Sequence, residues 1–283
     1  MINQKLLVSG ADYFADTYEI NPYYTDNEIN VAKAMAEHAA ILECFKEAGI
    51  ELIKVDPPKD CQDGVYTANW ALVKDSVAVM ARLPEARKAE EAYAKKCLEE
   101  QGIKCVEVPG DYLYSGQGDS LRCGKYLIGG RGYRSDPEAQ QFAADTLGLE
   151  LVQVHAKPQL NEDGTPHINP FTNHADSFWY DLDLAVSVID DYTIAYCPDA
   201  LDEESNKKLE SLTNLDKIKV DFEECTKGFA NNLVSTGKHV IMSNKAPKLQ
   251  AELEKRGLIC LTPDVTELKE GGGYIRCVSL WLS

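Results

Sequence analysis

Gly271-Gly272-Gly273-Tyr274-Ile275-Arg276-Cys277-Val278-Ser279-Leu280 sets three glycines ahead of one cysteine and hands that cysteine to an apolar stretch running on to Leu282. Glycine reaches backbone conformations closed to other residues and admits close neighbours, so a cysteine at the start of the following strand is presented rigidly, as a nucleophile would be. A buried thiol behind a flexible turn is the plainer alternative. What ties the stretch to a fold is that the strand expected over residues 275–282 is one member of a repeated pattern, with polar or glycine-punctuated sites at matching places.

The pattern reads apolar strand, tight turn, second strand, helix, third strand. One copy has strands at 70–73 and 77–80, a helix at about 84–101 and a strand at 104–108. The next has 119–121, a turn at Gly124-Lys125, 126–128, a helix at about 136–147 and a strand at 150–154. There Ser135-Asp136-Pro137-Glu138 is a helix start with proline in the first turn, and Gly148 is a C-terminal cap. A third copy covers 183–188, 192–195, a helix at about 202–212 and 218–220; a fourth covers 232–234, 239–242, a helix near 247–256 and 258–261. The fifth is split across the termini: 275–282, then 5–8, a helix at about 27–48 and a strand at 51–55. A repeat completed by joining the two ends implies a closed ring of modules and one α/β domain over residues 1–283. Each first strand is reached through a polar or glycine-rich connection: Asn69, Gly118-Asp119, Asp181-Leu182-Asp183, Asn231-Asn232 and Gly273 to Cys277. In a fivefold ring these converge on one mouth of the central axis.

Composition bounds the rest. The 283 residues, 44% hydrophobic and 27% charged, suffice for a sizeable core. No apolar run approaches the roughly 20 residues of a membrane span, and residues 1–10 lack a signal-peptide pattern, so a cytoplasmic protein is expected. Nine cysteines without paired spacing argue against a disulfide framework and against a structural metal site. A net charge of −17 disfavours nucleic acid and anionic membranes and suits a cationic small molecule, although an acidic surface serving solubility explains it as well.

Further motifs are Asp12-Tyr13-Phe14, Tyr18 to Tyr23, Asp63-Gly64-Val65-Tyr66-Thr67-Ala68-Asn69, Gly116-Gln117-Gly118-Asp119 and Gly132-Tyr133-Arg134-Ser135-Asp136-Pro137-Glu138. Together with the repeat they resemble the penteins, guanidine-modifying hydrolases and amidinotransferases built as propellers of five ββαβ modules with pseudo-fivefold symmetry. The resemblance covers essentially the whole chain and is closest to the arginine dihydrolase-type branch, then to dimethylarginine dimethylaminohydrolases. It implies a small cationic guanidino-type substrate, no cofactor and no metal, and leaves assembly into a homo-oligomer open. In such enzymes a thiolate attacks the guanidinium carbon, a histidine moves protons, and carboxylates hold the planar cation by paired hydrogen bonds. Carried over, Cys277 matches the nucleophile, Asp63 and Asn69 match substrate-contacting positions, and Arg134 matches the partner of a substrate carboxylate. Asp183 matches the carboxylate of the family's His-x-Asp motif, and it, Asp119 and Ser115 join the substrate-binding set.

Two positions depart from the family. Asp181 stands where the histidine belongs, and Ser115 where a glutamate usually precedes the Gly-x-Gly-Asp turn. An aspartate, ordinarily ionised above about pH 4, must have its pKa raised to move protons near neutrality. Asp181 is the expected acid/base, with His174 of the loop Asn173-His174-Ala175-Asp176 as its rival. Loop 158–173 reads either as a lid or as an ordinary surface excursion. Three functions follow: a cysteine-dependent hydrolase of a guanidino C–N bond working through a thiouronium, a catalytically silent ligand- or protein-binding pentein, and an amidinotransferase. The last needs the same histidine and is not favoured by these two departures.

Overall fold

The computed structural model describes residues 2–24 and 28–283. Strand β1 (Lys5–Val8), helix α1 (Val31–Glu47) and β2 (Glu51–Lys54) are followed by β3 (Ala71–Lys74), β4 (Val77–Met80), α2 (Lys88–Glu100) and β5 (Lys104–Val106). Next come β6 (Ser120–Cys123), β7 (Tyr126–Gly130), α3 (Pro137–Leu147) and β8 (Glu150–Val154), then β9 (Val186–Asp190), β10 (Thr193–Tyr196), α4 (Glu203–Ser211) and β11 (Asp216–Lys219). The chain finishes with α5 (Phe222–Gly228), β12 (Val234–Ser235), β13 (His239–Ile241), α6 (Pro247–Lys255), β14 (Ile259–Leu261) and β15 (Leu280–Trp281). Among the described residues the strands form five three-stranded sheets, β3-β4-β5, β6-β7-β8, β9-β10-β11, β12-β13-β14 and β15-β1-β2.

One connectivity recurs in all five. The middle strand pairs antiparallel with the strand before it and parallel with the strand after the helix. A parallel return needs a long crossover, which the helix supplies. In the last sheet β15 comes from the far end of the chain, with Leu280 opposite Leu7 and Trp281 opposite Leu6, so the split repeat is completed as expected. Local chemistry fits each part. The β3–β4 turn places Asp75 and Ser76 at φ 50° and 60°, the mirror-image geometry that matches strand twist. Helix α3 has Asp136 at its start, Pro137 in the first turn and Gly148 left-handed at φ 64° after its last turn. It buries Ala139, Ala143 and Leu147 against Leu72, Val79 and Leu127. Helix α2 buries Ala94 and Leu98 against Ala71, Val73, Ala78 and Met80.

Neighbouring sheets are stitched by buried side chains. The Asn3 amide donates to the Ser235 carbonyl at 2.8 Å, the Ser235 hydroxyl to Ile189 at 2.6 Å and the Gln117 amide to Trp281 at 2.8 Å. No helix among the described residues is long and apolar enough to cross a membrane.

The first strands begin later than the sequence suggests. The strand expected over 275–282 is only Leu280–Trp281, and Ile275 to Val278 form a tight turn. Likewise Asn69 lies in a 3-10 turn (Thr67–Trp70), Asp119 directly follows another (Gly116–Gly118), and Asp183 lies in a third (Leu182–Leu184). Helix α5 is a further element, capped by the Asp221 carboxylate, which accepts from the amides of Glu223 and Glu224. Helix α1 starts after an Asn30 cap; Asn27, its expected start, lies outside the described residues. Loop 158–173 is a surface excursion held by bridges between Leu160 and Pro166 and between Ile168 and Ala175.

Candidate active site

Asn232 explains why the chain turns at the cysteine. Its Oδ1 accepts from the amides of Arg276 at 2.9 Å and Cys277 at 3.3 Å, which takes both N–H groups out of any strand ladder. Its Nδ2 donates to the Cys277 sulfur at 3.1 Å. The turn is closed by Val278 N–H on the Tyr274 carbonyl at 3.3 Å, and the Cys277 carbonyl accepts from Ala68 at 3.0 Å. A Cβ on Gly273 would collide with the Tyr66 ring, which is the steric reason for glycine there. Cys277 is 3% exposed.

The sulfur also donates to Asp183 Oδ2 at 3.5 Å. Asp181 is held at both oxygens: Asn69 Nδ2 donates to Oδ2 and Ser115 Oγ to Oδ1, each at 2.7 Å. A Cβ on Gly118 would lie 2.6 Å from Asp181 Oδ2 and strike the Asn69 amide, so the Gly-x-Gly turn lets this pair pack on bare backbone. Asp119 Oδ1 accepts from the Leu182 amide, between the two aspartates, at 2.9 Å. Asp119 Oδ2 and Asp183 Oδ1 are buried without a hydrogen-bond partner.

Beneath the cluster, Arg87 donates to Asn69 Oδ1 at 2.8 Å and to the Asp63 carbonyl at 3.1 Å, and forms a buried ion pair with Glu90 at 2.7 Å. The Asp63 carboxylate accepts from the Tyr24 hydroxyl and, at 3.1 Å, from the Gln62 amide. The Arg134 guanidinium lies 4.9 Å from the Tyr180 ring centre and donates to the Ile20 carbonyl.

Burial dominates the electrostatics. It pushes Asp119 and Asp183 well above the carboxylate range, with the neighbouring Asp181 adding to the rise in each. For Asp183 the Arg276 guanidinium works the other way. Asp181 is raised by burial against the opposing pull of Arg134 and of the Ser115 and Asn69 hydrogen bonds. Burial and the Asp183 charge push the Cys277 thiol well up, which favours the protonated sulfur.

Of the residues expected from the sequence, Cys277, Asp183, Asp181, Asn69, Ser115 and Asp119 come together through these contacts. Asp63 joins them through Arg87, and Arg134 lies beside Asp181 as one of its charge partners. His174 does not join. It is exposed on the loop and lines a separate groove with Arg82, Glu85, Lys88 and Asp111, because Asn169 Oδ1 accepts from the amides of Phe171 and Thr172 and closes the loop tip on itself. Sequence reading passed over Asn232 and Arg87 as site residues. The pair Asn231-Asn232 before an apolar strand was the available signal for the first. Arg276 bonds to Gln117 and Ser279 at 2.6 and 2.7 Å, and its charge reaches Asp183. No group of His, Cys, Asp and Glu among the described residues is placed to hold a metal ion.

Comparison with known proteins identifies the family. Residues 15–281 match the family described as N,N dimethylarginine dimethylhydrolase, eukaryotic. A dimethylarginine dimethylaminohydrolase of Mycobacterium tuberculosis is 30% identical over 95% of this chain and 82% of its own. The bifunctional arginine dihydrolase/ornithine cyclodeaminase of Synechocystis is 28% identical over 98% of this chain, which spans 37% of that larger protein. The solved N-terminal domain of that arginine dihydrolase, bound to substrate, superposes with a TM-score of 0.88 at 26% identity, covering 99% of this chain and 98% of the domain; the same domain has been solved covalently bound to a reaction intermediate. The dimethylarginine dimethylaminohydrolase of Pseudomonas aeruginosa, with a TM-score of 0.78 at 16% identity over the full length of both chains, shares the fold. The chain belongs to the dimethylarginine dimethylaminohydrolase family, within the arginine-modifying hydrolase branch of the penteins.

Proposed function

We propose that this protein is a cysteine-dependent hydrolase that cleaves a guanidino C–N bond of an arginine-like cation, with Cys277 attacking the guanidinium carbon to form a thiouronium that water then releases. The observation that carries the reading is the contact of the Cys277 sulfur with Asn232 at 3.1 Å and Asp183 at 3.5 Å, beside two further buried aspartates, Asp119 and Asp181. Buried carboxylates call for a cation, and a planar guanidinium satisfies several with paired hydrogen bonds. In this reading the five sheets close into a propeller that is a single domain over residues 1–283. Asp63, Asn69, Asp119 and Asp183 line the seat of the charged head, and Arg134 takes the substrate carboxylate.

The binding-module reading has one observation behind it: the buried thiol is pushed up and has no imidazole to ionise it. One experiment separates the two. The protein is incubated with arginine, methylated arginines, agmatine and shorter guanidino acids, with release of ammonia or methylamines and of citrulline-type product followed, and with mass spectrometry of the Cys277 peptide for a trapped adduct. Turnover lost in Cys277→Ser supports the hydrolase. Ligand-dependent thermal stabilisation with neither product nor adduct supports the binding module.

A further inference from the structure

We infer that Asp183 carries the proton for Cys277, while Asp181, in the place the family's histidine would fill, is held as a fixed anion by Asn69 and Ser115. The chemical step rests on the hydrolase reading; the proton partnership does not.

The hydrogen-bond network around Asp181 has one direction. A guanidinium only donates, so Asn69 Oδ1, 2.8 Å from Arg87 Nη1, must be the acceptor end of that amide. Asn69 Nδ2 is therefore the donor, to Asp181 Oδ2 at 2.7 Å and to Ser115 Oγ at 2.9 Å. Having accepted from Asn69, the Ser115 hydroxyl points its own proton at Asp181 Oδ1, 2.7 Å away. Both Asp181 oxygens thus accept, Oδ2 from an amide that cannot turn and Oδ1 from a hydroxyl that can. A proton placed on Oδ2 would face the Asn69 amide donor, and Arg87 cannot reorient to relieve it because its other nitrogens hold Glu90 at 2.7 and 2.8 Å.

Asp183 is in the opposite situation. Its Oδ2 meets the sulfur at 3.5 Å, and its Oδ1 has no partner, so it gains or loses a proton without breaking a network. The sulfur's other side-chain partner, the Asn232 amide donor, cannot accept a proton. The charged and titratable groups facing Asp183 are Asp181, Asp119, Cys277 and Arg276, with Arg122 across a cavity of about 30 Å³ that Asp183 and Arg276 also line. Environments that push neighbouring carboxyl groups apart divide their roles. Asp181 supplies a standing negative charge and Asp183 the exchangeable proton.

In the reaction, the arriving guanidinium favours the Asp183 carboxylate. The Cys277 S–H proton passes to Asp183 as the C–S bond forms. The C–N bond then breaks with its electron pair on nitrogen, which takes the Asp183 proton and leaves as a neutral amine. Water adds to the thiouronium carbon, giving one proton to Asp183. The C–S bond breaks with its pair on sulfur, which regains a proton from Asp183 as that carboxylate collects the product's hydroxyl proton. Asp183 finally gives this proton to the amine, so one guanidinium and one water become one urea-type product and one ammonium ion.

The test is the pH dependence of iodoacetamide alkylation at Cys277, followed on its own peptide by mass spectrometry because eight other cysteines are present. Two coupled groups titrate in two macroscopic steps. Wild type is expected to show two inflections, Asp183→Asn a single one, and Asp181→Asn still two. A single inflection in the wild type, or two retained in Asp183→Asn, overturns the proposal, as does loss of the second step in Asp181→Asn alone. The wild-type profile decides the matter even if Asp183→Asn fails to fold. If the substrate screen finds no turnover while the two-step profile is present and depends on Asp183, the hydrolase reading falls and the proton partnership stands.

Discussion

One side chain, Asn232, both bends the backbone at Cys277 and hydrogen-bonds its sulfur: Oδ1 accepts from the cysteine amide at 3.3 Å and Nδ2 donates to Sγ at 3.1 Å. That donor favours the thiolate. A hydrogen bond to a charged group is worth about 1.5–3 kcal/mol, so Asn232→Ala is expected to slow Cys277 alkylation at pH 7.5 by about tenfold or more. Peptide-resolved alkylation rates check it, and an unchanged rate would remove Asn232 from the site's chemistry.

The buried aspartates set a stability cost that depends on pH. Asp119 has its folded pKa raised by burial and by Asp181, with Asp183 adding to it and a Ser135 hydrogen bond opposing. Between the unfolded value near 4 and the raised folded value, the unfolded chain binds fewer protons, so stability falls as pH rises through that window. Asp119→Asn is expected to flatten this slope and to raise the melting temperature at pH 8 relative to pH 5. A buried unsatisfied polar group costs about 1–3 kcal/mol, so a gain of about 1 kcal/mol at pH 8 is expected. Thermal melts at the two pH values decide.

Arg87 is the anchor under the site. Removing one member of a buried ion pair costs about 3–5 kcal/mol, and Arg87→Ala would strand Glu90 as well as the Asn69 acceptor. Urea unfolding is expected to show a loss of that size, whereas Lys207→Ala, on an exposed pair with Glu203, leaves the unfolding midpoint nearly unchanged.

Arg134 tests the proposed seat for the substrate carboxylate. Arg134→Ala is expected to weaken arginine binding about tenfold or more while changing agmatine, which lacks the carboxylate, far less. Calorimetric titration of both ligands measures the difference. Equal losses would assign Arg134 to holding Ile20 alone.

Much of the fold could be read from strand-sized apolar runs and the turns between them. The pairs β3–β4 and β6–β7, the crossover helices and the meeting of Leu280 with Leu7 lie where periodicity and repetition put them. Periodicity failed at the lead-in to each first strand, where the chain turns because side chains such as Asn232 capture backbone amides, and such captures leave no mark on an apolar pattern. Arg87 and Glu90, three apart at a helix start, read as an ordinary surface pair; only their 5% and 0% exposure gives them away. His174 is close to Asp181 in sequence, but the Asn169 turn carries it to another surface.

The network from Arg87 through Asn69 and Ser115 to Asp181 ties positions 115 and 181 together, so that a change at one is felt at the other. A glutamate at 115 beside Asp181 would set two anions together, whereas an imidazole at 181 would take the Asn69 amide on its free nitrogen and give its own N–H to the Ser115 hydroxyl, which accepts as readily as it donates. Position 115 can become acidic only once position 181 is no longer an anion. Ser115→Glu alone should therefore be less stable than Ser115→Glu combined with Asp181→His.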